Sequence, residues 1–523
     1  MNKHLLISIL LVVSLFAVSA SPSAAQGAAT HYVNEGQSIQ DAIDNAAPGD
    51  TIVIGPGEYF VGELYMYKSL TLRGSGAENT ILFGSIHLLP PPAADGQAPL
   101  HQYRTISDMT IDNFSTTLCD ANGFDPAITT VSPAIGLESG PDQGGYYLSN
   151  VSVADCIIRS SEGIYLSGVE NVEVRNSEFY GFPIHGPIPV FLADGGSDGN
   201  GISDCGIDTV GCGTVSISSN LLMGFFGDGI RTESCSAVRI VNNIVFGCDH
   251  YGISADGGSV IVTNNTLVSN RWSAIWVSSI MAVVANNICE LNPIYTSGLD
   301  GVSYDIYVET RDNLYFVNND IHRNILFEGP ADGVNEWGFP LGYDIYLSSN
   351  FGQELVSGNI FEDPLLQGWS IAAPSTGVPG LDGAIIIFGP NVTNIFKIQQ
   401  SSPCVNAGVN ASADMYGNVC DDFFATVRPQ GGHYDIGAHE YVFSSWSPVI
   451  IQPLARTQLQ SVLALWEDLL EQLPDEPTDE MTALIAQIQE YVANAAQLTN
   501  PIYASGQLSK AAAAMQQLAA LLA

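Results

Sequence analysis

The apolar positions between Cys212 and Ser279 fall in short alternating runs broken by turn residues, and the unit repeats. Three stretches come into register: CGTVSISSNLLMGFFGDGIRTES (Cys212–Ser234), CSAVRIVNNIVFGCDHYGISADG (Cys235–Gly257) and GSVIVTNNTLVSNRWSAIWVSS (Gly258–Ser279). Asn220, Asn243, Asn265 and Asn287 recur at steps of 23, 22 and 22 residues, and Ile230, Ile253 and Ile275 at 23 and 22. Alternation with period two makes each run a strand with one buried face. A fixed period of this length stacks the strands into a solenoid of β-coils, because a single coil cannot bury its apolar side alone. Helical repeats would need 3.6-residue spacing and far less Gly and Asn.

The pattern extends in both directions. Ser38–Asp50 (SIQDAIDNAAPGD) reads as a short helix, with Ser38 as N-cap and Ile39, Ala42, Ile43 and Ala46 on one face. Such a helix would cover the open end of a solenoid. Coil-like runs follow at Ser69–Gly76, Thr80–Phe83, Thr105–Ile111, Leu148–Leu166 and Val172–Phe179, with Asn176 placed opposite Asn243. Asn113–Gly145 and Gly181–Gly211 read as insertions. Ser303–Glu309 and Gly342–Ser348 repeat the GIRTE position and carry the solenoid to about residue 362. After Arg456 the pattern turns helical at Gln458–Leu473, Asp479–Leu498 and Gln507–Leu522. The expected organisation is a signal peptide at 1–25, the solenoid at 26–445 and a three-helix C-terminal module at 446–523, read as a cap or a self-association element.

Charge and cysteine narrow the partners. The chain carries 54 acidic and 15 basic side chains, a formal net charge of −39, which excludes nucleic acid as a partner because phosphate binding needs clustered Lys and Arg. Lys3 and His4, the apolar run Leu5–Val18 and the small residues at Ala20–Ala25 match a secretory signal, and no second apolar run is long enough to span a membrane. The mature protein is expected to be secreted, extracellular or at the cell surface, with a periplasmic location as the other compartment an export signal allows. The acidic surplus reads first as a soluble, self-repelling surface and second as a cation binder. No cofactor is assigned, and Ca2+ is the ion such a surface would take. Of nine cysteines, Cys205–Cys212 and Cys404–Cys420 are the pairs expected to close short disulfide loops.

The run QSIQDAIDNAAPGDTIVIGPGEY near the N-terminus resembles the signature of secreted right-handed parallel β-helix proteins of the pectate-lyase-like superfamily. The resemblance covers roughly residues 33–440 and implies an all-β, single-stranded, right-handed parallel β-helix. Ser402–Gly408 (SPCVNAG) and Arg428–Tyr441 (RPQGGHYDIGAHEY) resemble the closing motif of β-helix proteins termed choice-of-anchor Q, with the middle step stretched because Arg428 follows Gly417-Asn418 by ten residues. The motif is expected to end the solenoid, with Asp435 and Glu440 holding turns.

The candidate chemistry lies on the outward positions of the GIRTE strand. Alternation points Arg231, Glu233, Ser254, Asp256, Trp276, Tyr307, Glu309 and Tyr346 outward, with Tyr165 earlier in the set. The turn entering the strand adds Asp228, Asp249, His250, Arg271 and Trp272. Aromatic faces interleaved with carboxylates suit the CH faces and hydroxyls of sugars. Tyr165, Trp272, Trp276, Tyr307, Glu309 and Tyr346 are therefore the candidate binding residues. Asp228, Arg231, Glu233, Asp249, His250, Asp256 and Arg271 are the candidates for catalysis. The expected function is non-catalytic binding of an extracellular polysaccharide. The alternative is a lyase, C5-epimerase or glycosidase of uronic-acid-containing glycans, in which a cation or Arg neutralises the carboxylate and a base takes the C5 proton. The superfamily resemblance implies that an active site would sit on this strand and its turns.

Overall fold

The computed structural model describes residues 28–90, 102–113, 119–120, 123–124, 133–137, 148–181, 204–290 without 271, 292, 305–322, 345–367 without 351, and 392–442 without 411–418 and 431–432, together with single helical residues between 481 and 518. The predicted signal peptide, Arg271, most of both predicted insertions and most of the C-terminal helices lie outside the described residues. Within the C-terminal module, Met481, Ile488, Met515 and Leu518 are helical and buried.

All but two of the described strands join one 27-stranded sheet whose pairings within it are parallel. The sheet folds around a core into three faces, because each coil turns twice between its short strands and a third time on re-entering the next coil. In one coil Thr214–Ser218 lies on face one and Leu221–Met223 on face two. The long strand Ile230–Val241 starts on face three and bends onto face one of the next coil. Register is continuous: Val215, Val238, Val260 and Ala282 stack on face one, Leu222, Val245, Leu267 and Cys289 on face two. On face three, Ile207, Ile230, Ile253, Ile275 and Ile306 stack in the same way. All of them are buried in one core cluster, so the predicted all-β parallel β-helix is the fold observed. The cap helix is present at Ile39–Asn45, with Asp41 N–H donating to Ser38 Oγ at 3.0 Å, and its Ile39 and Ile43 enter the same core.

The asparagine ladder sits at the corner between faces one and two. Each Nδ2 donates to the Oδ1 of the next coil, from Asn220 to Asn243 (3.1 Å), Asn265 (3.0 Å), Asn287 (3.0 Å) and Asn319 (3.0 Å). The left-handed backbone belongs to the residue before each: Ser219, Asn242, Asn264, Asn286 and Asn318 have φ of 52–57°. One Asn bends the chain and the next holds the stack. Asn176, with φ 51°, occupies the bending place, so its counterpart is Asn242. Ser177, not Asn176, joins the ladder, its N–H donating to Asn220 Oδ1 at 3.0 Å. A second ladder, unforeseen, runs through Asn270 and Asn292, with Asn270 N–H donating to Asn292 Oδ1 at 2.6 Å.

Three further expectations are corrected. Both predicted insertions contain a rung of face three: Ile135–Leu137 pairs with Ile164–Leu166, and Ile207–Val210 with both Ile164–Ser167 and Ile230–Glu233. These rungs are only three and four residues long, too short to stand out between glycines and prolines. The closing motif does not end the solenoid but lies along its side. Leu366, Phe396, Ile398, Cys404, Ile436 and Ala438 pack on the outward residues Leu221, Met223, Ile244, Phe246, Val268 and Ile288 of face two. Asn242, Asn264, Asn286 and Asn318 each donate to a carbonyl of this covering segment. Finally, Cys205, Cys212, Cys404 and Cys420 are all free thiols. Cys404 faces Asp320 at 2.9 Å, and Cys212 shares a hydrogen bond with Cys235 of the adjacent coil. The stack, not the loop, chooses the neighbour.

Asp435 and Glu440 act as foreseen, as turn-holders. Asp435 accepts from the amides of Asn406 and Tyr441. Glu440 accepts from the amides of Gln430 and Asp435 and from Arg428 Nη1 at 3.1 Å, with both Arg428 and Glu440 buried.

Candidate functional site

The site is built on face three and the turn that enters it. The turn closes tightly because Gly163, Gly206 and Gly229 stack there: a Cβ on each would lie 2.2–2.8 Å from the carbonyl oxygen of the next coil. Asp228 stands just before this column and His250 one coil on.

Asp228 is buried and makes two polar contacts that define the centre. His250 Nδ1 meets its Oδ1, and Tyr251 N–H donates to the same oxygen at 3.0 Å. Arg231 lies on the following strand, with Nη1 3.5 Å from Oδ2 of Asp208 and Nη2 on Glu233. Burial pulls the Arg231 guanidinium down, but the charges of Asp208, Glu233 and Asp228 outweigh it and hold the pKa above its ordinary value. Tyr251 is pushed up by burial first and by the charge of Asp228 second. Both groups report a negative potential.

Beyond the centre the outward column becomes aromatic. In register it reads Tyr165, Asp208, Arg231, Ser254, Trp276, Tyr307, Tyr346. Trp276 and Tyr307 stack at 5.7 Å and 9°, and Tyr307 and Tyr346 at 4.7 Å and 10°. Tyr251 continues the stack towards the centre at 6.1 Å and 26° from Trp276. His250 closes it, 4.1 Å from the rings of both Tyr251 and Trp272. A second column runs beside the first, two residues along each strand, through Asp256, Ser278 and Glu309, with Glu233 ahead of it at the bulge after Thr232. Glu309 accepts from the Tyr307 hydroxyl at 2.7 Å.

Of the residues singled out from sequence, the structure brings together Asp228, Arg231, Glu233 and His250, and it aligns Trp272, Trp276, Tyr307, Tyr346 and Glu309. Asp249 lies on the turn, its amide held by Phe225 O. Asp256 belongs to the carboxylate column, and Tyr165 stands on the far side of the charged centre. Arg271 lies outside the described residues. Two members were missed. Asp208 lies within a predicted insertion, and Tyr251 is the residue that the Ile230–Ile253 register sets against Asp228. The signal for both was available in the Ile column, which fixes the rung. Among the described residues no three His, Cys, Asp or Glu side chains are placed to hold a metal ion, and no helix is long and apolar enough to cross a membrane.

The long connections are confined to the flanks of face three. In sequence, 182–203, 293–304 and 323–344 fall between strands of face two and face three, and 138–147 between strands of face three and face one; all four lie outside the described residues. The corner between faces one and two keeps a two-residue link from Ser107–Thr110 through Val317–Asp320. Loops that vary over a constant scaffold are where binding and catalysis usually reside.

A family model described as a right-handed beta helix region matches residues 141–288, which contain the centre and its coils. No curated protein matches in sequence. Solved structures similar to this chain include the A-module of the Azotobacter vinelandii mannuronan C-5 epimerase AlgE4, at 14% identity over 62% of this chain and 91% of that one, TM-score 0.33. The pectate lyase Pel9A is similar at 10% identity, covering 79% and 96%, TM-score 0.29. A Yersinia enterocolitica family 28 exopolygalacturonase shares 13%, covering 65% and 68%, TM-score 0.27. The chain folds as a right-handed parallel β-helix. At these identities the likeness is one of fold.

Proposed function

We propose that this is an exported β-helix protein that binds extracellular or cell-surface polysaccharide along face three. Its export is assigned to Met1–Ala25, and its C-terminal helices are assigned to self-association. The observation that carries the reading is the run of nearly parallel rings Tyr251, Trp276, Tyr307 and Tyr346 beside a column of carboxylates. Sugar CH groups pack along the outer edges of such a ring stack while their hydroxyls donate to the acids. Successive coils are about 4.8 Å apart, a spacing comparable to one pyranose, so a chain lying along the solenoid meets one rung per sugar. Glycan-array binding tests this. Trp276→Ala should cost roughly tenfold or more in affinity with an unchanged circular dichroism spectrum. Full binding by the folded variant would sink the reading.

The Asp228–His250 pair favours catalysis as a second reading. A carboxylate on Nδ1 holds the imidazole so that Nε2 can take a proton from a bound sugar. On this reading the protein is a lyase, C5-epimerase or glycosidase, and product analysis on any bound glycan distinguishes it. Shortened, unsaturated or epimerised product that disappears in His250→Ala would replace binding by catalysis.

A further inference from the structure

The charges along face three select among glycans. Between Ile207 and Thr310 the described cations of the site are Arg231 and His250, and both are already engaged, Arg231 by Asp208 and Glu233 and His250 by Asp228. The same stretch also holds Arg239, which lies on face one, and Arg271. Against them stand Asp208, Asp228, Glu233, Asp249, Asp256 and Glu309. A polyuronate would bring one more carboxylate to each rung and find no described guanidinium without a partner of its own.

The arrangement is more specific than an excess of acid. Asp256 and Glu309 stand in one column with Ser278 between them, Glu233 precedes them at the bulge that follows Thr232, and the rings stand two residues away from Ser278 and Glu309 on the same strands. Asp256 and Glu309 add their charges across the Ser278 rung between them, and a row of cations would be drawn to that field. A sugar packed along the outer edges of Trp276 and Tyr307 would turn one side to Ser278 or Glu309. An ammonium on that edge would face the carboxylate column. At the centre itself the charges of Asp208, Glu233 and Asp228 outweigh burial and hold Arg231 above its ordinary value.

We infer that face three binds an amine-bearing glycan, a polymer of sugars with free protonated amino groups, in preference to neutral or uronic-acid polymers. This rests on the proposal that face three is a glycan-binding surface. The test measures the full-length protein by calorimetry against three probes: a β-1,4-linked glucosamine hexamer, its N-acetylated counterpart and an oligogalacturonate with and without calcium. The glucosamine hexamer should bind about tenfold more tightly than the acetylated one and weaken as salt rises from 50 to 500 mM. The double variant Asp256→Asn/Glu309→Gln, which leaves the rings in place, should lose about fivefold more affinity for the amine ligand than for the acetylated one, whose hydroxyls the new amides still meet. Equal affinity for the two hexamers overturns the inference, as does preference for the oligogalacturonate in either buffer, while both leave the glycan surface standing. A folded protein that binds none of the three overturns the surface itself along with the inference.

Discussion

On face two the outward side chains of successive coils are Leu221, Ile244, Thr266 and Ile288, with Met223, Phe246, Val268 and Glu290 beside them. On face three they are Asp208, Arg231, Ser254, Trp276, Tyr307 and Tyr346. The first face is buried under the chain's own segment 366–441. The second is partly exposed, with Tyr346 at 37% and Trp272 at 46%. Both are made by the same coils with the same spacing, so the backbone does not decide the outcome. Composition does. Aliphatic surface gains about 25 cal/mol per Å² on leaving water, and the covering segment supplies that burial while satisfying its own backbone at the corner asparagines and at Thr266, whose Oγ1 accepts from Ala438 N–H at 3.0 Å. Face three mixes rings with carboxylates, which such a segment could bury only by desolvating charge. No described segment covers it.

The comparison breaks most visibly at Arg428. Its guanidinium is buried and holds Glu440 and the carbonyls of Asp421, Asp435 and Gly437. Arg428→Ala would leave the Glu440 carboxylate buried without its ion pair, at a cost of about 3–5 kcal/mol. Chemical denaturation should show that loss, and protease should cut within 392–442 before it cuts the coils. A melting midpoint unchanged in the variant would mean that the covering segment contributes nothing to the stability of face two.

These contrasts were unequally legible in the sequence. The solenoid could be read from the Asn and Ile columns because a period repeated over several coils survives local irregularity, and the cap helix from Ser38 and its apolar face. Inward and outward positions on face three followed from alternation alone. What could not be read was which outward face would be covered: Leu221-Leu222-Met223 is apolar at every position, so it carries no alternation to assign. The partners of Cys404 and Arg428 depend on contacts across the chain that local spacing does not encode, and Asp208 was lost because its rung is four residues long.

Acid sharpens the same contrast, because the covering side holds carboxyls with displaced titrations. Burial pushes Asp320, Asp422 and Asp435 up to about 7. A carboxyl raised in this way adds stability that is complete below its unfolded value of about 3.8 and is lost as the pH climbs towards 7. His439 works in the opposite sense, since burial pushes it down to about 3 and its contribution is lost as the pH falls below about 6.5. With three such carboxyls and one imidazole, the urea midpoint should fall between pH 4.5 and 7. Asp320→Asn should make that fall shallower. A midpoint that rises across the window would show that Asp320, Asp422 and Asp435 are ionised in the folded state.

The smallest expected effect on stability lies at the open end of face three. Tyr346 is partly exposed and stacks on Tyr307 at 4.7 Å, so Tyr346→Ala should cost about 1 kcal/mol or less. Its effect on binding should depend on ligand length. Four rungs separate Arg231 from Tyr346, roughly 19 Å at the spacing of parallel strands, which a disaccharide held at the charged centre does not reach. The variant should therefore weaken a hexamer and leave a dimer unchanged. Equal losses for both lengths would place the ligand at the Tyr346 end, away from Asp228 and His250. No loss for either would mean that the chain crosses the column instead of following it, and the one-sugar-per-rung match would then have no part in recognition.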